Sequence, residues 1–372
     1  MEKIKRFIEC LVPDYSCNLK CNYCYIVQRK QRGNKASDFQ YSPEVIGEAL
    51  SQNRMGGICY FSICGAGETL VPAKVIDIAY NILKQGHFVN ITTNGTLTKR
   101  FDEILKFPKE YLERLHFSFS FHYLELLPNK LDIFFDNVNR VRKGGCSILV
   151  QVNLCDEYLP YLDEIKYICE QRTGGAPQIV ATRKETELHS NIELFTEHSK
   201  EEYQSFGGKF HSPLFDFTMN NFGLKRKGFC YAGDWSATLN LATGAMGKCY
   251  SSYIVEDIFK YPTKPINFTA VGDNCKSLFC MNASHFMSLG VIPSIEVPTY
   301  ASLRNREDAG WYSNRMSSFL NGKLENNNTF YSKTQIIKTN MMSIVDRAFL
   351  LKALAGGFRR KLWAFIGARG GR

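Results

Sequence analysis

The stretch Leu115-His-Phe-Ser-Phe-Ser-Phe-His122 alternates apolar and polar residues with the two-residue period of a β-strand. One face carries Leu115, Phe117, Phe119 and Phe121, and the other carries His116, Ser118, Ser120 and His122. The phenylalanines demand a cover of helices. Four polar groups on the opposite face are costly in a dry core, so that face is expected to look into a wet or ligand-filled interior.

The strand is one of a series. From the N-terminus to about Arg183, short apolar runs alternate with amphipathic segments, as in strands separated by helices in a parallel arrangement. Strands are expected at Phe7–Val12, Ile58–Cys64, Phe88–Thr93, Leu115–Phe121, Ser147–Val152 and Gln178–Thr182. Helices are expected at Pro43–Gln52, Pro72–Gln85, Leu131–Lys143 and Leu159–Gln171. Six such units form either a partial barrel or a doubly wound sheet. The third strand repeats the polar column with Asn90, Thr92 and Asn94, and the fifth with Gln151 and Asn153. Glu68, Asn94, His122, Asn153 and Arg183 fall at strand C-terminal ends, where α/β barrels build active sites.

Beyond residue 227 the pattern changes to short β-like pieces, turns and cysteines, then to a polar Asn-rich loop and a helical C-terminus. This divides the chain into a barrel over residues 1–227, a small module over 228–300 and a helical extension over 301–372. The 372 residues, 44% hydrophobic and 22% charged, suffice for one large domain plus a small one and exclude a disordered chain. No run reaches the roughly 18 apolar residues of a spanning helix, and Met1-Glu-Lys-Ile-Lys-Arg6 leads into strand without a signal-peptide core. A cytoplasmic location is expected.

Thirteen cysteines, an odd total without an export signal, argue for reduced thiols rather than a disulfide framework. The loop after the first strand reads Cys17-Asn-Leu-Lys-Cys21-Asn-Tyr-Cys24. Three thiolates at this spacing suit an iron-sulfur cluster or zinc. They leave one coordination position open, as a catalytic metal requires.

Cys17, Cys21 and Cys24, with Tyr23 just before the last cysteine, resemble the signature of the radical S-adenosylmethionine superfamily. Gly65-Ala-Gly67-Glu68-Thr69 at the end of the second strand is similar to the family's Gly-Gly-Glu-Pro motif, with Ala66 and Thr69 as departures, and Thr92-Thr-Asn94-Gly95-Thr96 is similar to another family feature. The resemblance implies a partial (β/α)6 TIM-like barrel. It also implies a 4Fe-4S cluster on the three cysteines whose fourth iron chelates the amino and carboxylate groups of S-adenosylmethionine. Reductive cleavage then yields a 5′-deoxyadenosyl radical that abstracts a substrate hydrogen, with the electron coming from a flavodoxin- or ferredoxin-type donor. Tyr23 is expected near the adenine, Gly67 and Glu68 near the methionine amine, Ser118, Ser120 and Asn153 near ribose or carboxylate, and Asn94 among the cofactor-binding residues.

Cys230 and Cys249, spaced around Gly244, resemble the opening half of the SPASM and Twitch auxiliary-cluster modules; Asn240-Leu-Ala-Thr-Gly244 is expected to be the hairpin turn between them. With Cys275 and Cys280 they make four ligands, enough for one auxiliary 4Fe-4S cluster of the Twitch type, or for zinc. The Cys-x4-Cys spacing of the last pair leaves His285 as an alternative to Cys275. The other six cysteines are expected to be small buried hydrophobes. His122, Tyr123 and Asp234 are candidates for proton transfer or substrate contact.

The net charge of +10 is uneven, because seven basic residues and no acidic ones follow Asp346. This tail suits an interfacial helix on an anionic membrane surface, or a docking helix, and no nucleic-acid motif accompanies it. The expected function is hydrogen abstraction from a small substrate, glycosyl or phosphorylated, because only sixteen residues precede Cys17 and leave no room there for a leader-peptide-binding domain. The alternatives are a peptide- or protein-modifying enzyme of the same superfamily and a non-catalytic metal-binding protein.

Overall fold

The computed structural model describes residues 2–33, 38–185, 193–250, 254–273, 275, 277, 280 and 283–342. The basic tail expected to meet a membrane lies outside them. Six strands, β1 (Arg6–Val12), β2 (Cys59–Gly65), β3 (Phe88–Thr93), β4 (Leu115–Ser120), β5 (Ser147–Leu154) and β6 (Gln178–Ala181), pair in parallel in chain order. The register is continuous, with Ile8 opposite Phe61, Ile91 opposite Phe117 and Phe119 opposite Val150. The fold is α/β, a mostly parallel sheet of the partial-barrel type. A two-stranded ribbon of β7 (Arg183–Lys184) and β8 (Glu193–Leu194) follows β6.

The outer face is built as the alternation demands. Phe117 and Phe119 lie against Phe101 and Phe134, with ring centroids 5.6 to 5.8 Å apart. The helix Lys74–Lys84 buries Val75, Ile78, Ala79, Ile82 and Leu83 completely. Each large side chain buried in this way stabilises the fold by roughly 1.5–3 kcal/mol.

The inner face is wet only in part. Ser118 donates to Asn90 Oδ1 at 2.9 Å, and Asn90 donates to Ser62 Oγ at 3.3 Å. Lower down, His116 Nδ1 meets the Tyr60 hydroxyl at 2.7 Å, and its ring packs edge-on against Tyr312. Most of these polar groups therefore bond to one another below the cavity instead of facing water, while His116 Nε2 stays buried without a partner. Residues 300–320 plug this end: Phe319 stacks on Phe88 at 3.8 Å, and the Trp311 carbonyl accepts from the Ile148 amide at 2.9 Å.

The strand after residue 227 joins the same sheet. β9 (Ser236–Asn240) pairs in parallel with β1, and β10 (Ala245–Gly247) and β11 (Ile254–Asp257) continue antiparallel, giving nine strands in the order 11-10-9-1-2-3-4-5-6. The Asn240–Gly244 turn forms as expected, with Gly244 at φ +75° and Asn240 Oδ1 accepting from the Ala242 and Thr243 amides. β1 and β6 do not pair. The helix Pro213–Asn221 packs on β6 and touches Ala283–Phe286 and Tyr300–Arg304, which fills the gap. Among the described residues no helix is long and apolar enough to cross a membrane.

Candidate functional site

The cysteine loop follows β1 and is fastened to its neighbours by backbone hydrogen bonds. Ala66 N donates to Val12 O, Gly67 N to Asp14 O and Glu68 N to Ser16 O, at 3.1, 2.6 and 2.8 Å. Gly67 has to be glycine here, because a Cβ would stand 2.0 Å from the Ser16 carbonyl oxygen. Thr69, where the motif has proline, accepts from the Gly65 amide at 2.8 Å and holds the turn by a side-chain bond.

Glu68 is 3% exposed, and its carboxylate accepts from Thr93 Oγ1, the Asn94 amide and the Leu70 amide at 2.6, 2.7 and 3.0 Å. Burial pushes its carboxyl above the usual range, although these donors oppose the shift. The Glu68 side chain therefore anchors β3 to β2, and what it can offer a ligand is its backbone. Asn94 Nδ2 reaches Asn18 Oδ1 at 2.8 Å and Cys17 Sγ at 3.8 Å, which ties the end of β3 to the cysteine loop.

Cys17, Cys21 and Cys24 all line one cavity of about 370 Å³. Burial pushes the Cys21 thiol up to about 12 and raises Cys17 as well, and each thiol feels its neighbours' charge. Cationic ligation would reverse this preference for the protonated form. Among the described residues no three His, Cys, Asp or Glu side chains close around a single ion. Three thiols spread around one cavity suit a cluster, which is wider than one ion.

The cavity collects most of the expected cofactor contacts: Tyr23, Gly67, Glu68, Asn94, Ser120 and Asn153 line it. Ser118 does not, since it lies below, bonded to Asn90. Of the three proton-transfer candidates only His122 reaches the cavity. Its Nδ1 lies 2.5 Å from the Tyr23 hydroxyl, and burial pulls its imidazole down to about 4, so it is neutral at pH 7. Tyr123 is buried against Phe121, Tyr158 and Tyr161. Asp234 pairs with Arg6 at 3.2 Å, and Arg6 begins β1 at the end opposite the cysteine loop.

The second cysteine set shares one region, although among the described residues no three of its thiols close around a single ion. Burial raises the Cys230 thiol, and Cys249, Cys280 and Cys275 each add to the rise, so these three thiols are within electrostatic reach of it. Cys230 sits on a bridge to Gly272, while Cys275 is exposed. His285, the alternative to Cys275, faces elsewhere: its Nδ1 is 3.5 Å from Glu9 Oε2, and its ring lines the main cavity. The other six cysteines are singly placed and mostly buried, with Cys64 donating to Glu9 at 3.4 Å.

Glu9 and Arg304 are the residues that pattern reasoning missed. Arg304, 2% exposed, lines the cavity with its guanidinium 3.7 Å from the Tyr300 ring centroid. Glu9 had a legible signal, as the single acid in the otherwise apolar run Phe7-Ile-Glu-Cys-Leu-Val12. Arg304 had none, because its partners are distant in sequence.

With the cysteine loop, the Gly67 turn and the Asn94 corner on one cavity, the comparison with known families is decisive. Residues 12–154 match the Radical SAM superfamily. This part of the chain is a Radical SAM domain. Membership implies a 4Fe-4S cluster and S-adenosylmethionine as its partners, and the donor set described above fits them.

Solved structures similar to parts of the chain are those of SuiB from Streptococcus suis bound to S-adenosylmethionine (12% identity, TM-score 0.48, 68% of this chain), anSMEcpe with bound AdoMet (12%, 0.45, 93%) and BtrN with AdoMet and 2-DOIA (13%, 0.31, 70%). The alignment spans 64% of the SuiB chain, 100% of anSMEcpe and 81% of BtrN. No curated protein matches the sequence.

Proposed function

We propose that the chain is a radical S-adenosylmethionine enzyme acting on a small molecule held in the cavity beside the cysteine loop. The observation that carries this reading is the sharing of one cavity of about 370 Å³ by Cys17, Cys21 and Cys24 and by Gly67, Asn94, Ser120 and Asn153. That volume lies within the range of small-molecule sites. When bound, the cluster supplies the electron that cleaves S-adenosylmethionine to a 5′-deoxyadenosyl radical.

The residues of the chain do the positioning. The Gly67 turn presents backbone to the methionine end, while Tyr23 and His122 form one hydrogen-bonded wall, and Ser120 and Asn153 offer polar groups from β4 and the end of β5. A glycosyl or phosphorylated substrate, oxidised or epimerised, is the reading we favour.

Cys230, Cys249, Cys275 and Cys280 would hold a second, auxiliary 4Fe-4S cluster, a reading supported by their spacing around the Gly244 turn and by the electrostatic reach of the other three to Cys230. The boundaries at residues 227 and 300 then mark the auxiliary module, although β9 shares its sheet with the barrel. A flavodoxin- or ferredoxin-type protein would deliver the electron. The deciding experiment is anaerobic reconstitution with iron and sulfide, followed by measurement of 5′-deoxyadenosine under strong reductant. Release by the wild type is expected to exceed that of the triple Cys17→Ala, Cys21→Ala, Cys24→Ala variant by orders of magnitude, and equal release would overturn the reading.

A further inference from the structure

The helix over residues 333–342 starts at Ser332, whose hydroxyl accepts from the Gln335 amide at 3.3 Å while Gln335 Oε1 accepts from the Ser332 amide at 2.8 Å. One side of this helix is moored to the second cysteine region. Asn340 Nδ2 donates to Asp273 Oδ2 at 2.7 Å, the Asp273 amide donates to Asn340 Oδ1 at 3.1 Å, and Thr339 and Asn340 lie over Gly272. The other side is apolar and open. Ile337, Met341 and Met342 are 59%, 62% and 44% exposed, with Ile337 and Met341 one turn apart on one stripe. Lys333 and Lys338 are exposed on the same helix. Apolar side chains gathered on one exposed face, unlike ones scattered singly, point to a partner.

The sequence that follows identifies the kind of partner. Residues 343–372 lie outside the described part of the chain, but their sequence continues the pattern: Ile344, Ala348 and Leu351 extend the four- and three-residue spacing of Ile337 and Met341. Phe358, Leu362, Trp363 and Phe365 then stand among Arg359, Arg360 and Lys361. After Asp346 there are seven basic residues and no acidic one. A second copy of the chain is a poor cover, because these cations would face their like with no acid to pair with. A nucleic acid accepts the charge, yet it offers Ile337, Met341 and Met342 no apolar medium. An anionic bilayer surface offers both, headgroups for the cations and the acyl boundary for the apolar side chains.

We propose that the open face of the helix over residues 333–342, together with the basic sequence that follows it, docks the protein on an anionic lipid surface, lying along the interface without crossing it. Lys333 and Lys338 then lie at headgroup level beside Ile337 and Met341, and the mooring through Asn340 brings the second cysteine region close to the lipid. The inference is independent of the small-molecule reading above, since it concerns where the protein works and not what it converts.

The full chain carries its own probe. It has three tryptophans, of which Trp235 and Trp311 are buried, so quenching of its fluorescence by vesicles containing brominated phosphatidylcholine reports on Trp363. With phosphatidylcholine and phosphatidylglycerol at roughly 2:1, quenching and co-sedimentation are expected, with binding to phosphatidylcholine alone at least about tenfold weaker and all binding falling as salt is raised. Trp363→Phe should remove the quenching and leave co-sedimentation in place. Arg359→Glu, Arg360→Glu and Lys361→Glu together should weaken binding at least about tenfold. Ile337→Ser with Met341→Ser should weaken it about threefold or more, at an unchanged urea midpoint. If that pair does not fold, Lys338→Glu on the same helix should weaken binding in its place.

Absence of quenching and co-sedimentation, equal binding to neutral vesicles, or full binding by the charge-reversed chain would overturn the proposal. Full binding by a folded Ile337→Ser, Met341→Ser chain would overturn it as well, because the helix face would then play no part. Capture of a duplex DNA or single-stranded RNA oligonucleotide without vesicle binding would assign the cations to nucleic acid. A dimer in sedimentation velocity that Ile337→Ser and Met341→Ser dissolve, again without vesicle binding, would assign the face to a second copy, and either result overturns the lipid surface.

Discussion

The two cysteine groups are built in opposite ways. Cys17, Cys21 and Cys24 lie within eight residues, on a loop stitched to β2 through Gly67 and Glu68 and to β3 through Asn94. Cys230, Cys249, Cys275 and Cys280 are scattered over 51 residues around a short hairpin added to the β1 edge, with the last three in electrostatic reach of Cys230. The first group inherits its geometry from parallel strand ends, which the barrel fixes independently of any ligand. The second owes its geometry to chain that a short antiparallel extension brings back. Damage to the first scaffold should therefore remove function altogether, and damage to the second should be local.

The largest effect is expected from Gly67→Ala. The added methyl collides with the Ser16 carbonyl oxygen, so either the cysteine loop or the β2 turn has to move. 5′-Deoxyadenosine release should fall at least about 100-fold, because displacements of about 1 Å near a reacting centre cost that much. A fall of less than about threefold would show that the stitching does not set the geometry of the first site.

Cys230→Ser is next. The reconstituted protein should lose about half its iron, and 5′-deoxyadenosine release without substrate should stay within about twofold of wild type. Unchanged iron content would remove the auxiliary cluster. Loss of all iron would show that the two sites are not independent.

Glu9→Gln tests β1, the strand from which the Cys17 loop leaves and on which β9 pairs. The Glu9 carboxyl is raised from 4.5 to about 7 by burial, so the folded chain binds a proton that the unfolded chain releases. Stability owed to this group is full below about pH 4.5 and falls as pH rises to about 7, by at most about 3 kcal/mol. His87, His116 and His122 are pulled down to about 4, 3 and 4 and act in the opposite sense, but equally in both proteins. The difference between wild type and variant in urea midpoint should therefore shift in favour of the variant from pH 5 to pH 7. A constant difference would refute the shift.

Asp234→Asn should matter least. It weakens one ion pair with Arg6, whose guanidinium also bonds the Asp234 carbonyl at 2.7 Å, and costs about 1 kcal/mol in chemical denaturation. 5′-Deoxyadenosine release should not change, and a large drop would return Asp234 to the chemistry.

Much of this was legible in the sequence because it is local. The strand Phe88–Thr93 and the helix Leu131–Lys143 form at the expected residues, since alternation and amphipathic spacing are properties of a few consecutive positions. The Cys17 loop reads the same way, as one ungapped motif. Other features depend on contacts across the chain. Nothing in Ser236–Asn240 announces that it pairs with β1, and nothing in Tyr300–Arg304 announces a cation inside a barrel. The polar column of β4 shows the limit: alternation gave the face correctly, but the plug of Tyr312 and Phe319 decides which rows are wet. Asp234 looked available beside the cysteines because sequence does not reveal that Arg6 holds it.

The pairing of β1 with β9 bears on how the molecule is made. β1 is made before the other strands of the sheet, yet one of its edges waits for residues 236–240, more than two hundred positions later. Until they emerge, the nascent barrel carries a bare row of amide and carbonyl groups along its oldest strand, the kind of edge at which chains pair wrongly with one another. Completion of the sheet is thus delayed until the second cysteine region has begun to be synthesised, so a chain that stops short of that point leaves the barrel open to association with its neighbours.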